Sequence, residues 1–448
     1  MATKLLIRAF DVEVGDCFYV RIPKARVING GEDDFHMLID CGTKGKGIFT
    51  TAAVKNLAQI LPDAQTPGKK RLDLLVVTHE HEDHIKGFDP DDFEDILIDH
   101  IWLSAVMNPN HPQSQNTNAL YSFASKAMRE VESLGLALSP ELEDLVSLFS
   151  IKNDGAMEAL RQTLPQANGT QATYVEAGMT STTLNIPIKD ATLRILGPEQ
   201  DIDHFYLGKA EEQLNGLKAG MASFEAAAQS DLQPANISGS DFRTLRSRMM
   251  SNAFAFAELV SKVKNNASTV LLLEWGGRRL LFVGDSEWEH RFKAGNQNGC
   301  WNVMWHQRHA ELAQPIDFLK VGHHGSTNAT PWAEGGDTTS EPARILDAIL
   351  PLPAAGTEPT ATAMVSTKRK NYRTIPKAEL LVEIGKRVSN TRNYQEFLTD
   401  AGHDPTTLRH FSEREEKWID KPQPYRTDLE CMISGVPWVD VELEEKTN

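Results

Sequence analysis

Residues 74–87 read LLVVTHEHEDHIKG, which places His79, His81, Asp83 and His84 within six positions, directly after an apolar run. Imidazole and carboxylate are the ligands that zinc, manganese and iron accept. Alternate residues leaving a strand point the same way, so His79 and His81 can reach one ion. Asp83 and His84, on the turn that follows, can reach a second, and Gly87 eases the chain into a helix. Such a centre activates water. Two ions sharing one water lower its pKa towards neutrality and stabilise the charge that develops on a substrate.

A pair of ions needs further ligands, and these should lie at the ends of other strands. The segment LLFVGDSE puts Asp285 in such a place, where one carboxylate could bridge both ions. The segment FLKVGHHGS puts His323 and His324 in the same situation.

The elements that must position these groups follow from the hydrophobic pattern. LLIRAFDVEV, CFYVRI and HMLIDCG are strand-like segments bounded by Gly, Asp and Pro, and AVKNLAQIL has helical spacing. LDLLVVT is the continuous apolar run of a strand covered on both faces, and HIWLS (100–104) is a further strand. Two apolar runs flank Gly276-Gly277 as a β-hairpin, and IDFLKVGHHGS and TATAMVST add two strands. Helical patterns occupy about 112–168 and 199–264, and 376–419 is mainly helical before closing strands at YRTDLECMIS and PWVDVEL. Strand groups separated by helices predict one layered α/β domain over 1–448, with the first two helical tracts as insertions.

Composition narrows the partners. With 46 basic and 62 acidic residues the formal charge is −16, so the overall field repels polyanions and bulk electrostatic binding of duplex nucleic acid is not expected. A local basic patch or a metal can still take a phosphate. No apolar run approaches the roughly 20 residues of a membrane span, and four separated cysteines do not suggest a disulfide framework. The expectation is a cytoplasmic protein without a membrane partner.

Taken together, H-x-H-x-D-H, the G-D of LLFVGD and the H-H-G-S of LKVGHHGS resemble the metallo-β-lactamase superfamily. Within it the chain is similar to the hydrolase domain of bacterial DNA-uptake competence-channel proteins. FDVEVGDCFYV, MLIDCG, ILGP, NNASTVLLLEWGGRRLLFVGD and YRTDLECMI resemble that group's further motifs, so the likeness runs from residue 10 to about 433. It implies a four-layer αββα sandwich with metals at the edge between its two sheets. It also implies two divalent ions, with zinc expected and manganese or iron as alternatives. By position, His79 and His81 would hold one metal, and Asp83, His84 and His324 the other, with His323 the alternative to His324. Asp285 would bridge them, and Asp83 and Asp285 are the candidate catalytic carboxylates. Asp40 matches a carboxylate that orients the histidines, and Asp16 is a second candidate for that network. Where many members offer a third histidine to the first metal, this chain has KNNAST, so Asn265 or Asn266 takes that place, with Asn265 as a weak ligand. His111 and His204 are possible substitutes.

The expected activity is ester hydrolysis by a hydroxide shared between two metals, on a phosphodiester or nucleic acid. STKRKNYR, with Lys368, Arg369, Lys370, Tyr372 and Arg373, supplies a candidate substrate-binding loop, and Ser326 a further contact. TKGKG, with Lys44 and Lys46, is a second basic run and RTLRSR (243–248) a third. A carboxylic-ester or lactone hydrolase would use the same metals without a basic mouth. A non-catalytic binding module is the remaining alternative, on the strength of Asn265.

Overall fold

Along the strand Lys70–Val77, Leu74 and Val76 enter one core while Leu75 and Val77 enter another. Successive side chains of a strand face opposite sides, so this strand is covered on both, as its unbroken apolar run requires. The same division organises the rest of the molecule.

The computed structural model describes residues 4–28, 31–133, 145–146, 149, 151–208, 238, 240, 254–255, 257–333, 337–367, 375–389 and 438–446. It is a mixed α/β structure with two sheets and helices. The strands are Lys4–Phe10 (β1), Phe18–Ile28 (β2), Gly31–Ile39 (β3), Lys70–Val77 (β4), Ile96–Ser104 (β5) and Ala172–Val175 (β6). There follow Ala191–Gly197 (β7), Val270–Trp275 (β8), Arg278–Phe282 (β9), Phe318–Lys320 (β10), Thr362–Met364 (β11) and Trp438–Glu444 (β12). One sheet has the order β12-β1-β2-β3-β4-β5-β6 and the other β11-β10-β9-β8-β7. Ile7, Val20, Met37 and Val76 of the first share a core with Leu193, Leu271, Phe282 and Phe318 of the second. The second core joins Leu38, Leu75, Leu272 and Leu319 to helical residues such as Val54, Leu57, Trp301 and Ile345.

Two strand boundaries differ from the sequence reading. The strand expected to stop at Pro23 continues to Ile28, because its register with β3 shifts between Ile22 and Arg26. A bulge there tolerates a proline that a regular ladder would reject. The strand expected at His100 starts at Ile96, and its interior Asp99 is accommodated by Arg26 at 2.8 Å. In the hairpin, Gly276 and Gly277 both take positive φ (51° and 74°), the backbone that a tight two-residue turn demands.

The first insertion contains helices Gln115–Ser133, Ile151–Glu158 and Leu164–Asn168. Helix Ala378–Gly385 begins the C-terminal helical tract, and PWVDVEL forms most of β12. Most of the second insertion, including RTLRSR (243–248), and the strand expected at 425–434 lie outside the described residues.

Strands β3, β4 and β5 run parallel, as do β9, β10 and β11, so each set delivers its loops to one edge. There three loops interlock through the backbone. Asp16 N–H donates to Asp83 O, Cys41 N–H to His84 O, Gly42 N–H to Asp16 O and Gly87 N–H to Cys41 O. Gly42 lies so close to the metal-motif turn that an added Cβ would stand 2.2 Å from both Asp83 C and His84 N. Backbone cannot yield to that contact locally. Gly42→Ala is therefore expected to cost roughly 2–4 kcal/mol in urea unfolding and to weaken metal retention against a chelator. An unchanged midpoint and unchanged retention would contradict this packing.

Candidate metal centre

The donor types brought together along the chain also meet in space. Asp83, His84, Asp285 and His324 place ligand atoms within 4.8 Å of one another, and His79, His81 and Asp285 form a second such set, all buried. Asp285 belongs to both. Its Oδ1 stands 3.1 Å from His84 Nε2 and its Oδ2 3.7 Å from His79 Nε2, so each oxygen faces one set. His79 Nε2 lies 3.0 Å from His81 Nδ1, and His324 Nε2 lies 2.9 Å from Asp83 Oδ2. Ligands about 2.0–2.2 Å from a tetrahedral ion stand roughly 3.3–3.6 Å apart, so these separations suit shared ions after small adjustments.

Local backbone explains how each side chain arrives. His81 is extended (φ −78°, ψ 152°) and caps the short helical turn Glu82–Ile85, which rolls Asp83 and His84 back over the end of β4. His323 and His324 both adopt left-handed backbone (φ 40° and 51°). That conformation is uncommon outside glycine, and pairs of it accompany strained functional turns. Here it turns His324 inward while His323 stays half-buried at the rim, its Nδ1 3.2 Å from Glu287 Oε1.

Asp40, at the end of β3, accepts hydrogen bonds from Thr78 N–H and Oγ1–H, both at 2.7 Å, and from His84 Nδ1 at 2.8 Å. Holding Nδ1 leaves Nε2 of His84 for an ion. His324 is oriented likewise, its Nδ1 donating to Ser366 O at 2.7 Å. Asp16 Oδ2 stands 3.7 Å from His84 Nδ1 and is paired with the Lys320 ammonium. Within the four-residue set, Asp83 Oδ1 is buried without a hydrogen-bond partner, and His84 Nε2 is buried 3.1 Å from Asp285 Oδ1. Buried polar atoms are nearly always satisfied, and a cation in this set would satisfy that Asp83 oxygen. Nitrogen and oxygen donors without sulfur suit zinc, manganese or iron.

The electrostatics point the same way. Burial, reinforced by His84 and His81, holds His79 well below the usual imidazole range, and burial pushes His81 down to about 3. Both therefore present lone pairs at neutral pH. Burial alone would raise Asp83, yet Lys44 and His324 hold it well below the ordinary carboxylate range. For Asp285 burial is likewise outweighed, by His84 and His323. Burial also opposes charge on His84, but Asp285, Asp40 and Asp16 raise it well above normal. A divalent ion would compete with that proton for the same carboxylates.

The other sequence candidates have diverse placements. Asn265 donates its Nδ2 to Glu287 Oε1 at 2.9 Å, while its Oδ1 is buried without a hydrogen-bond partner. Ser326 directs its hydroxyl to Asn328 Oδ1 at 3.1 Å, within its own loop. His111 accepts from Gln113 N–H and stands 3.7 Å from Glu176, and His204 packs edge-on against Phe205. Neither belongs to a metal-compatible set among the described residues. Lys368, Arg369, Lys370, Tyr372 and Arg373 lie outside the described residues.

Two buried lysines at the site were not singled out from the sequence. Lys320 sits in β10, fully buried, between Asp16 and Asp285; its signal was a charge inside an apolar strand. Lys264 pairs with Glu80, the residue between the first two histidines, and lies 2.9 Å from the Tyr121 ring centroid. Arg161 Nη2 is 3.9 Å from the same glutamate, so the first helical insertion is fastened to the metal-motif loop.

Compared with protein-family models and with curated proteins, the sequence matches none. No helix among the described residues is long and apolar enough to cross a membrane.

Proposed function

We propose that this chain is a metal-dependent hydrolase of the metallo-β-lactamase kind, an αββα sandwich acting on phosphodiesters, with nucleic acid among the candidate substrates. The observation that carries this reading is Asp285 turning one carboxylate oxygen to each of two buried histidine-containing sets. The two sheets sharing one core, with a helix-lined core beside it, agree with the sandwich.

His79 and His81 would hold one divalent ion; Asp83, His84 and His324 would hold the other, with Asp285 common to both. Zinc is the expected metal, manganese or iron the alternatives. When bound, such a pair supplies Lewis acidity and a water deprotonated near neutral pH. The protein's own contribution is positional. Asp40 and Ser366 O fix the tautomers of His84 and His324, burial keeps His79 and His81 neutral, and Lys44 with His324 keeps Asp83 ionised.

The test is turnover by zinc- or manganese-loaded protein of bis(p-nitrophenyl) phosphate beside a neutral lactone. The expected result is cleavage of the phosphodiester, lost on chelation and recovered on adding metal. Cleavage of the lactone alone would assign a carboxylic-ester hydrolase instead. Less than one metal per chain after mild purification, with neither substrate cleaved, would assign a binding module.

A further inference from the structure

We propose that the segment 264–269 (KNNAST) sets the metal affinity of the His79, His81 and Asp285 set by holding the loops that carry it, with Lys264 and Asn265 as positioning residues. The inference rests on the two-ion reading above and adds to it what keeps the first ligand set in shape.

This segment closes the helix over 257–266 and leads into β8. It reaches both loops of the first set. Lys264 Nζ forms an ion pair with Glu80, the residue between His79 and His81. Asn265 donates its Nδ2 to Glu287 Oε1 at 2.9 Å, and Asn266 Oδ1 accepts from Glu287 N–H at 3.1 Å. Glu287 follows Asp285 by two residues. Ser268 Oγ accepts from Asp285 N–H at 3.2 Å, and Thr269 N–H donates to Thr78 O, just before His79, at 2.8 Å. Every residue of KNNAST except Ala267 thus contacts a position no more than two residues from a ligand of the first set. Lys264, Glu80, Asn265 and Glu287 are all buried.

Glu80 and Glu287 are buried carboxylates beside the centre, yet neither belongs to a metal-compatible set. A buried carboxylate without a partner is drawn to the nearest cation, and Glu80 could move only by carrying His79 and His81 with it. The Lys264 ammonium, with Arg161 at 3.9 Å, holds Glu80 on the side of the first helical insertion. Lys264 is itself fixed over the Tyr121 ring. His79 Nε2 and His81 Nδ1 then stay 3.0 Å apart, close enough to share one ion. The second set has separate supports, since Asp40 orients His84 and Ser366 O orients His324. Loss of the Lys264–Glu80 pair should therefore weaken one ion step and spare the other.

The experiment titrates cobalt(II) into metal-free protein and follows its visible absorption, with a competing chelator to give the two stepwise affinities. His81→Ala marks the step that belongs to the first set. Lys264→Met should weaken that step about 10- to 100-fold, the scale on which outer partners of metal ligands act, and leave the other within about threefold. Because Lys264→Met strands the Glu80 charge and can cost stability, Lys264→Met/Glu80→Met is measured beside it. Its melting temperature should match that of wild type, while its first-step affinity stays about tenfold or more below. Asn265→Asp should also weaken the first step, because its carboxylate faces Glu287 with no N–H to donate. A metal-ligand role for residue 265 predicts tighter binding instead. Wild-type first-step affinity in the folded double variant, equal weakening of both steps, or tighter binding by Asn265→Asp overturns the inference and leaves the two-ion reading intact. A wild-type protein that binds fewer than two ions removes both together.

Discussion

Asp285→Ala is expected to lower phosphodiester turnover by about 10⁴-fold or more, the scale on which loss of a central catalytic group is felt. The reason lies in its two oxygens, which face His84 Nε2 and His79 Nε2 respectively. No other carboxylate among the described residues belongs to both ligand sets. Without it each set loses an anionic donor, and metal content should drop by at least one ion per chain. The fold should persist. Asp285 follows β9 rather than forming part of its ladder, and its N–H donates to Ser268 Oγ whatever side chain the residue carries. Asp40 and Asp16 also remain beside His84 to balance its charge. The check is steady-state kinetics with elemental analysis and a thermal melt. A variant with wild-type turnover would remove the basis of the two-ion proposal.

The second large effect concerns stability. Lys320→Met is expected to destabilise the metal-free protein by about 3–5 kcal/mol, the penalty for removing one partner of a buried ion pair. Lys320 and Asp16 are each 2% exposed, Lys320 Nζ also donates to Gly284 O at 3.1 Å, and Asp285 Oδ1 lies 4.0 Å away. Solvent therefore cannot take over when the ammonium is lost. Asp16 Oδ1 already lacks a hydrogen-bond partner, which leaves that carboxylate little local compensation. The double variant Lys320→Met/Asp16→Asn should recover more than half of the loss, because it removes the stranded charge. Urea unfolding of the four proteins in the cycle measures this. A loss below about 1 kcal/mol would show that the pair is inconsequential.

Much of the framework was legible before any coordinates. Continuous apolar runs marked β4 and the hairpin of β8 and β9, and Gly276-Gly277 marked the turn. Where the reading stopped short, a tertiary feature intervened. Pro23 does not end β2 because a bulge absorbs it, and Asp99 does not break β5 because Arg26 from β2 reaches it.

By itself the sequence determined the donor chemistry: His79, His81, Asp83 and His84 lie within one strand end and one turn, where local backbone alone directs them to a common place. The tertiary structure decided what depends on segments hundreds of residues apart. It brought His324 rather than His323 to Asp83 through two left-handed residues, divided Asp285 between two sets, and buried Lys320 against Asp16. Such choices turn on ångström-scale approaches between strands of separate sheets, and hydrophobic period, which encodes only the face a residue takes, carries no record of them.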